Sequence, residues 1–250
     1  MPPTVIYTFY IGLPELLVAQ AKCIRKFIPD AQQICVIHCK EIEDEQALIQ
    51  TCDKLALLYI VRPGVYKLNF VAKRGSTVAH TAIVSEIWKD KVLTNPHGIV
   101  VFMDCDIVPI KPFNFAAALN ESTIIYRPFP HWAMGSPTEQ RYRPPPLEPI
   151  PSAWRNFFIV NLDKMKDIEL VQFLKHSSFT DWLIAHPKNI ENHKTFDRTS
   201  THVEGIGGRE LFLDAFVHLG RVTGYSKLKL RPTPEQLKAF CSYLELLSAA

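Results

Sequence analysis

Residues 98–109 read Gly98-Ile-Val-Val-Phe-Met-Asp104-Cys-Asp106-Ile-Val-Pro109. An unbroken apolar run, rich in β-branched residues and bounded by Gly98 and Pro109, carries two carboxylates at its far end. A short run of this composition reads as a strand buried on both faces. Alternate residues of a strand point the same way, so Asp104 and Asp106 share a face unless the chain turns at Cys105. Neighbouring carboxylates repel in a dry site and become favourable around a divalent cation, and an oxygen-only pair suits Mn2+ or Mg2+.

Upstream of this strand the pattern alternates. Val5–Tyr10 reads as a strand and Pro14–Ile28 as a helix, with Leu17, Ala21, Ile24 and Ile28 at helical spacing. Ile34–Cys39 is a second strand, Glu43–Cys52 a short acidic helix, and Leu55–Val61 a third strand closed by Pro63-Gly64. Ser76–Leu93 is a helix with Val78, Ala82, Ser85, Trp88 and Val92 on one side, and Ile99–Met103 is the fourth strand. This order predicts an α/β fold, a mostly parallel sheet flanked by helices. Ligands bind such sheets outside the carboxyl ends of the strands, which is where Asp104 and Asp106 fall.

Downstream the pattern is less regular. Thr123–Tyr126 and Phe157–Leu162 read as strands, and Asp167–His176, Arg209–His218 and Pro234–Leu247 as helices. Residues 127–151 hold eight of the nineteen prolines together with Trp132 and Tyr142, and read as a long functional loop. Trp132 and Tyr142 fit either a ligand wall or local packing that pins this loop, whereas Trp154 beside the next strand reads as core.

The chain has 250 residues, 47% hydrophobic and 21% charged, a length that permits one large domain. A net charge of +3 is too balanced to argue for nucleic acid as the partner. No run of 18 apolar residues marks a membrane span, and Met1-Pro-Pro-Thr-Val-Ile-Tyr lacks the features of a signal peptide. The cysteines at 23, 35, 39, 52, 105 and 241 read as free buried thiols, which predicts a cytoplasmic, reducing compartment.

The element order with Asp104-Cys105-Asp106 after the fourth strand resembles the GT-A glycosyltransferases, whose Asp-X-Asp motif lies at this position. Asn156-Phe-Phe-Ile-Val-Asn161-Leu-Asp163 is similar to a segment of glycogenin-like members, with Phe158 where they carry glycine. Val217-His218-Leu-Gly220 is similar to their His-X-X-Gly segment, with the glycine one residue early. The resemblance covers roughly residues 5–225. It implies a single GT-A (Rossmann-like) domain over 1–250: a nucleotide-binding half at 5–110, an acceptor-binding half at 111–230, and a C-terminal helix at 231–250. It also implies transfer of a hexosyl or pentosyl group from a UDP- or GDP-sugar to a carbohydrate or protein hydroxyl. Asp104, Asp106 and His218 would then ligate Mn2+ or Mg2+, with Cys105 in the same diphosphate-facing turn.

Thr8, Phe9 and Tyr10 end the first strand, where the resemblance implies a cradle for base and ribose. Lys73 and Arg74 precede a helix N-terminus, a combination that attracts a diphosphate; a solvated loop with Ser76 as cap accounts for them equally well. For the general base that an inverting transfer needs, Glu210 matches best, with Asp214 one turn on and Glu204 as the loop alternative. A first-turn glutamate favoured by the helix dipole is the plain account of Glu210.

Two other readings stay open. Asp104-Cys-Asp106-Ile-Val108 fits the opening of haloacid-dehalogenase-type phosphatases, with Asp104 as nucleophile. That motif normally opens the first strand, and no second acidic pair follows here. A sugar nucleotidyltransferase would need a glycine-rich loop after the first strand, which Ile11-Gly12-Leu13-Pro14 is not. From another class, a non-catalytic nucleotide-sugar or carbohydrate-binding module fits the same residues.

Overall fold

In the computed structural model the alternation of the first half is built as strands β1 (Thr4–Tyr10), β2 (Ala31–Ile37), β3 (Leu58–Val61) and β4 (Ile99–Asp104). Helices α1 (Pro14–Phe27), α2 (Ile42–Lys54) and α3 (Ser76–Ile87) connect them. The structure describes residues 2–39, 41–62, 76–129, 152–165, 171–173, 182–185, 192–203, 207–219 and 233–249. Helix α1 carries Pro14 in its first turn, Glu15 beside it, and Arg25 and Lys26 in its last turn. Proline is preorganised for a helix start, and these charges complement the helix dipole. A π-helical turn, Trp88–Val92, continues α3 and keeps the Trp88 ring buried.

The second half adds β5 (Ile107–Pro109), α4 (Phe115–Leu119), β6 (Ile124–Phe129), β7 (Ser152–Asn161), β8 (Val171–Phe173), β9 (Trp182–Ala185) and β10 (His193–Thr195). It continues with β11 (Arg198–Val203), β12 (Gly207–Phe212), β13 (Phe216–His218) and α5 (Pro234–Ala249). The main sheet runs β10-β6-β7-β4-β1-β2-β3, with β9 on β7 and β8 on β9. Four of the six neighbouring pairs along that path are parallel; β7 runs antiparallel to β4 and to β6. The second sheet, β11-β12-β13-β5, is antiparallel.

Strand β4 is central, and both of its faces are buried. Ile99, Val101 and Met103 join Leu16, Leu17, Ile24, Phe240 and Leu244 beneath α1 and α5. Val100 and Phe102 join Phe9, Ile83, Ile87, Trp88 and Phe158 on the α3 side. Phe158, standing where the resembling segment carries glycine, stacks on Phe102 with ring centroids 4.7 Å apart and planes 9° apart. At the start of β4, Gly98 has φ +77, and a Cβ there would run into the Pro3 carbonyl. Only glycine takes both conditions without strain.

Two expectations change. Residues 209–218 are not a helix: they are the hairpin β12–β13. Their apolar residues recur at helical spacing because both faces of the hairpin are covered, with Phe212, Ala215, Phe216, Val217 and Leu219 all buried. Of residues 167–176, Val171–Phe173 form a strand, and the rest lie outside the described residues.

Candidate active site

The backbone ladder of β4 ends at Asp104, and the chain turns through Cys105 and Asp106 before β5 begins. The strand alternation that would set both carboxylates on one face is therefore interrupted at Cys105. Asp104 lies on the α3 face with Phe102, opposite Phe9 of β1 in the ladder. Its Oδ1 is 3.1 Å from Nε2 of His80, which α3 brings in from its second turn. Phe9, His38 and His80 pack ring against ring beside it, with centroids 5.0 to 6.4 Å apart.

Asp106 meets the second sheet instead. Register sets His218 opposite Ile107 on one side and opposite Glu210 on the other. Paired antiparallel residues project from the same face, so Glu210 and His218 are in contact by construction. His218 Nε2 is 3.5 Å from Asp106 Oδ2, and its Nδ1 is 2.5 Å from Glu210 Oε2. Burial disfavours the charged imidazole, yet Asp106 and Glu210 together raise the His218 pKa from 6.5 to about 9.

Gln20 holds this turn from beneath. It sits on the buried stripe of α1 and is 0% exposed. Its Nε2 donates to the main-chain carbonyls of Asp104 (3.0 Å) and Ile107 (2.6 Å), and its Oε1 accepts from the Tyr10 hydroxyl. Gln33 Nε2 in turn donates to the Tyr10 hydroxyl at 3.3 Å and to Thr8 Oγ1 at 3.1 Å. Of the three residues at the end of β1, Phe9 thus faces the Asp104 side, while Thr8 and Tyr10 face α1 in this buried chain. Cys105 is fully buried in the same cluster as Tyr10, its thiol pushed well up by burial and by the flanking aspartates.

Asp214 is exposed at the turn of the β12–β13 hairpin, beyond the Phe212–Phe216 pair and away from the Glu210–His218 pair. Lys73, Arg74, Glu204, Gly220, Trp132 and Tyr142 lie outside the described residues, and Trp154 is described by its backbone alone. Asn161 and Asp163 belong to the opposite end of β4. Asn161 pairs with Ile99, its Oδ1 accepts from Asp163 N at 3.1 Å, and Asp163 Oδ1 accepts from Gly98 N at 3.0 Å. With about 3.3 Å per strand residue, this tie lies roughly 16 Å from Asp104.

Sequence reading missed Gln20, His38 and His80. Gln20 had a signal, since it stands four residues from both Leu16 and Ile24 on an apolar stripe. A polar group there must find buried partners. His80 had only its place early in the helix after the Lys73-Arg74 loop.

The donor types suit a hard divalent cation: two carboxylates and an imidazole whose second nitrogen is held by a carboxylate. Asp106 Oδ1 is buried with no hydrogen-bond partner among the described residues, an atom that a cation would satisfy. No three His, Cys, Asp or Glu side chains among the described residues stand gathered as a ready-made metal cluster. The 3.5 Å between Asp106 and His218 exceeds a normal hydrogen bond and is close to the roughly 3 Å between adjacent ligands of an octahedral ion.

A central strand delivering Asp104-Cys105-Asp106 to the carboxyl edge of a mostly parallel sheet is the arrangement that the GT-A resemblance implies. Over 98% of its length the chain is similar to the galactosyltransferase LgtC, solved in complex with donor and acceptor sugar analogs. That match covers 95% of the other chain at 12% identity, with a TM-score of 0.51. Core-mannan synthase A (CmsA/Ktr4) from Aspergillus fumigatus, in its Mn/GDP form, matches 64% of this chain and 59% of its own at 10% identity, with a TM-score of 0.40. No protein-family profile and no curated protein sequence matches the chain. The chain has the fold of the GT-A glycosyltransferases. No helix among the described residues is long and apolar enough to cross a membrane.

Proposed function

We propose that this protein is a metal-dependent glycosyltransferase. It moves a hexosyl or pentosyl group from a UDP- or GDP-sugar to a carbohydrate or protein hydroxyl, in one domain spanning the chain. The observation that carries the reading is the Asp104–Asp106 turn at the carboxyl end of β4, with His218 set against Asp106. Asp104, Asp106 and His218 would hold Mn2+ or Mg2+, and that ion, when bound, neutralises charge on the departing nucleoside diphosphate. Glu210 accepts a hydrogen bond from Nδ1–H of His218, which fixes the ring and turns Nε2 toward Asp106. That contact favours an orienting role for Glu210 over that of the acceptor's base. The Phe9–His38–His80 ring cluster shields Asp104 from water, so its charge acts in a weakly screened setting. Six free cysteines fit a reducing, cytoplasmic setting for the reaction.

The position of Asp104 at the end of the fourth strand counts against the phosphatase reading, whose nucleophile opens a first strand. The test is a panel of UDP- and GDP-sugars incubated with the protein, with and without Mn2+, scoring release of nucleoside diphosphate. One donor should be hydrolysed in a Mn2+-dependent way, and Asp106→Asn should lower the rate at least about 100-fold. Failure to bind or cleave any donor would overturn the reading. Turnover that survives chelation would overturn the metal dependence and instead assign the neutralising charge to His218, which already faces Asp106.

A further inference from the structure

We propose that Gln20 is a positioning residue that sets the geometry of the Asp104–Asp106 turn from beneath the sheet, and so sets the affinity of the site for a divalent cation. The inference rests on the glycosyltransferase reading and deepens it. When a chain leaves a strand and turns, its carbonyls lose their ladder partners, and buried carbonyls need other donors. The turn from β4 to β5 is buried throughout, with Cys105 and Ile107 both 0% exposed. Gln20 supplies both missing donors from one amide, to the carbonyl of Asp104 at the start of the turn and that of Ile107 at its end. The distance between those carbonyls is thereby tied to the width of one NH2 group, and the residues between them carry the carboxylates outward.

The amide is itself fixed. Both neighbours of Nε2 are acceptors, so the amide has one acceptable orientation, and its Oε1 is held by Tyr10. Tyr10 is anchored by Gln33, and Gln33 also by Thr8. A chain of four polar side chains across β1, β2 and α1 thus ends on the main chain of the site. Each has 7% exposure or less. At the site end of this chain both polar atoms of Gln20 and the Tyr10 hydroxyl are bonded, which holds one geometry there; Gln33 Oε1, at the far end, is buried with no hydrogen-bond partner among the described residues. Gln20 touches neither donor nor cation; it acts through the backbone, as outer residues of metal sites do.

The test compares wild type, Gln20→Met and Leu48→Ala. Methionine keeps the bulk and removes the donors; Leu48 is a buried residue of α2 in the same apolar cluster and serves as a stability-matched control. Mn2+ binding in the presence of UDP is read by water-proton relaxation, and thermal unfolding is read in parallel. Gln20→Met should weaken Mn2+ binding about 10- to 100-fold, while Leu48→Ala, though less stable, should bind as wild type does. Equal Mn2+ affinity in wild type and Gln20→Met overturns the inference alone. Absence of Mn2+ binding by wild type with UDP overturns the metal reading and this inference with it. Equal weakening in both variants reduces Gln20 to a stability residue and also overturns it. Should Gln20→Met not fold, wild type labelled with 15N-glutamine carries the test. The side-chain amide of Gln20 should resist hydrogen exchange and shift on addition of Mg2+ and UDP, and an unshifted signal overturns the inference.

Discussion

At the scale of single residues, the Glu210–His218 pair separates two chemistries. A general base acts on the acceptor, and its removal lowers kcat by about 100- to 10,000-fold while cation binding stays intact. An orienting carboxylate acts on the histidine, and its removal appears first in the cation. With Glu210 Oε2 at 2.5 Å from Nδ1, Glu210→Gln is expected to weaken Mn2+ binding by about tenfold or more. Calorimetry with Mn2+ and UDP beside steady-state kinetics decides between them, and unchanged Mn2+ affinity with a collapsed kcat would return Glu210 to the base. Phe158 poses a different question, since it stands where the resembling segment carries glycine. Its ring lies flat on Phe102 in the buried cluster, so Phe158→Ala should remove about 3–5 kcal/mol of stability. A urea denaturation midpoint close to wild type would show that the ring is not packed as described.

At the scale of elements, legibility followed the match between pattern and local physics. The strands and helices of residues 4–104 were readable because each apolar run has one period and ends at Gly, Pro or charge, as Gly98 and Asp104 do for β4. The β12–β13 hairpin was not. Its turn is Leu213-Asp214-Ala215, with φ of 49 and 51 at the first two residues, where Asn and Gly are the usual signals. Without those signals, a hairpin covered on both faces shows only spacing, and Leu211, Phe212, Ala215, Phe216 and Leu219 imitate a helix. The site suffered the same way. Asp104, Asp106 and His218 stood out in the sequence, but the approach of His218 to Asp106 follows from the turn at Cys105 and the register of β5 on β13, which no spacing encodes. The strained turn also yields a test of Asp214. Left-handed backbone disfavours a side chain, so Asp214→Gly should stabilise the protein by about 0.5–1 kcal/mol, with turnover unchanged. Loss of activity without loss of stability in that variant would restore Asp214 as a catalytic residue.

At the scale of the whole molecule, the sheet separates two apolar clusters, and the cysteines show how well the larger one excludes water. Cys23, Cys35, Cys39, Cys52 and Cys105 are buried free thiols, with Cys241 less covered on α5. Burial, reinforced by Asp44 and Glu45 for Cys39 and partly opposed by Lys26 and Lys22 for Cys23, pushes both thiols from 9.0 up to about 12. Burial raises Cys241 to about 11. Cys35 and Cys52 shift in opposite directions through their shared hydrogen bond, which with burial raises Cys35 and lowers Cys52. Between the unfolded value near 9 and the folded values, the unfolded chain releases protons that the folded chain keeps. The thiols' contribution to stability is therefore flat below about pH 8.5 and falls as pH rises toward 12, by about 1.4 kcal/mol per pH unit for each such thiol, beyond the loss between pH 6.5 and about 9 that the raised His218 pKa brings. Urea denaturation at pH 8 and pH 10 reads this slope, and Cys23→Ala/Cys39→Ala should flatten it even though the double variant starts less stable. Ellman's reagent gives an independent reading at pH 8, because only an accessible thiolate attacks it. The native chain should react at no more than one thiol, Cys241, within the time that all six react in denaturant. Rapid reaction of several thiols in the native chain would mean that solvent reaches the cluster in which Gln20 and the turn of the site are held.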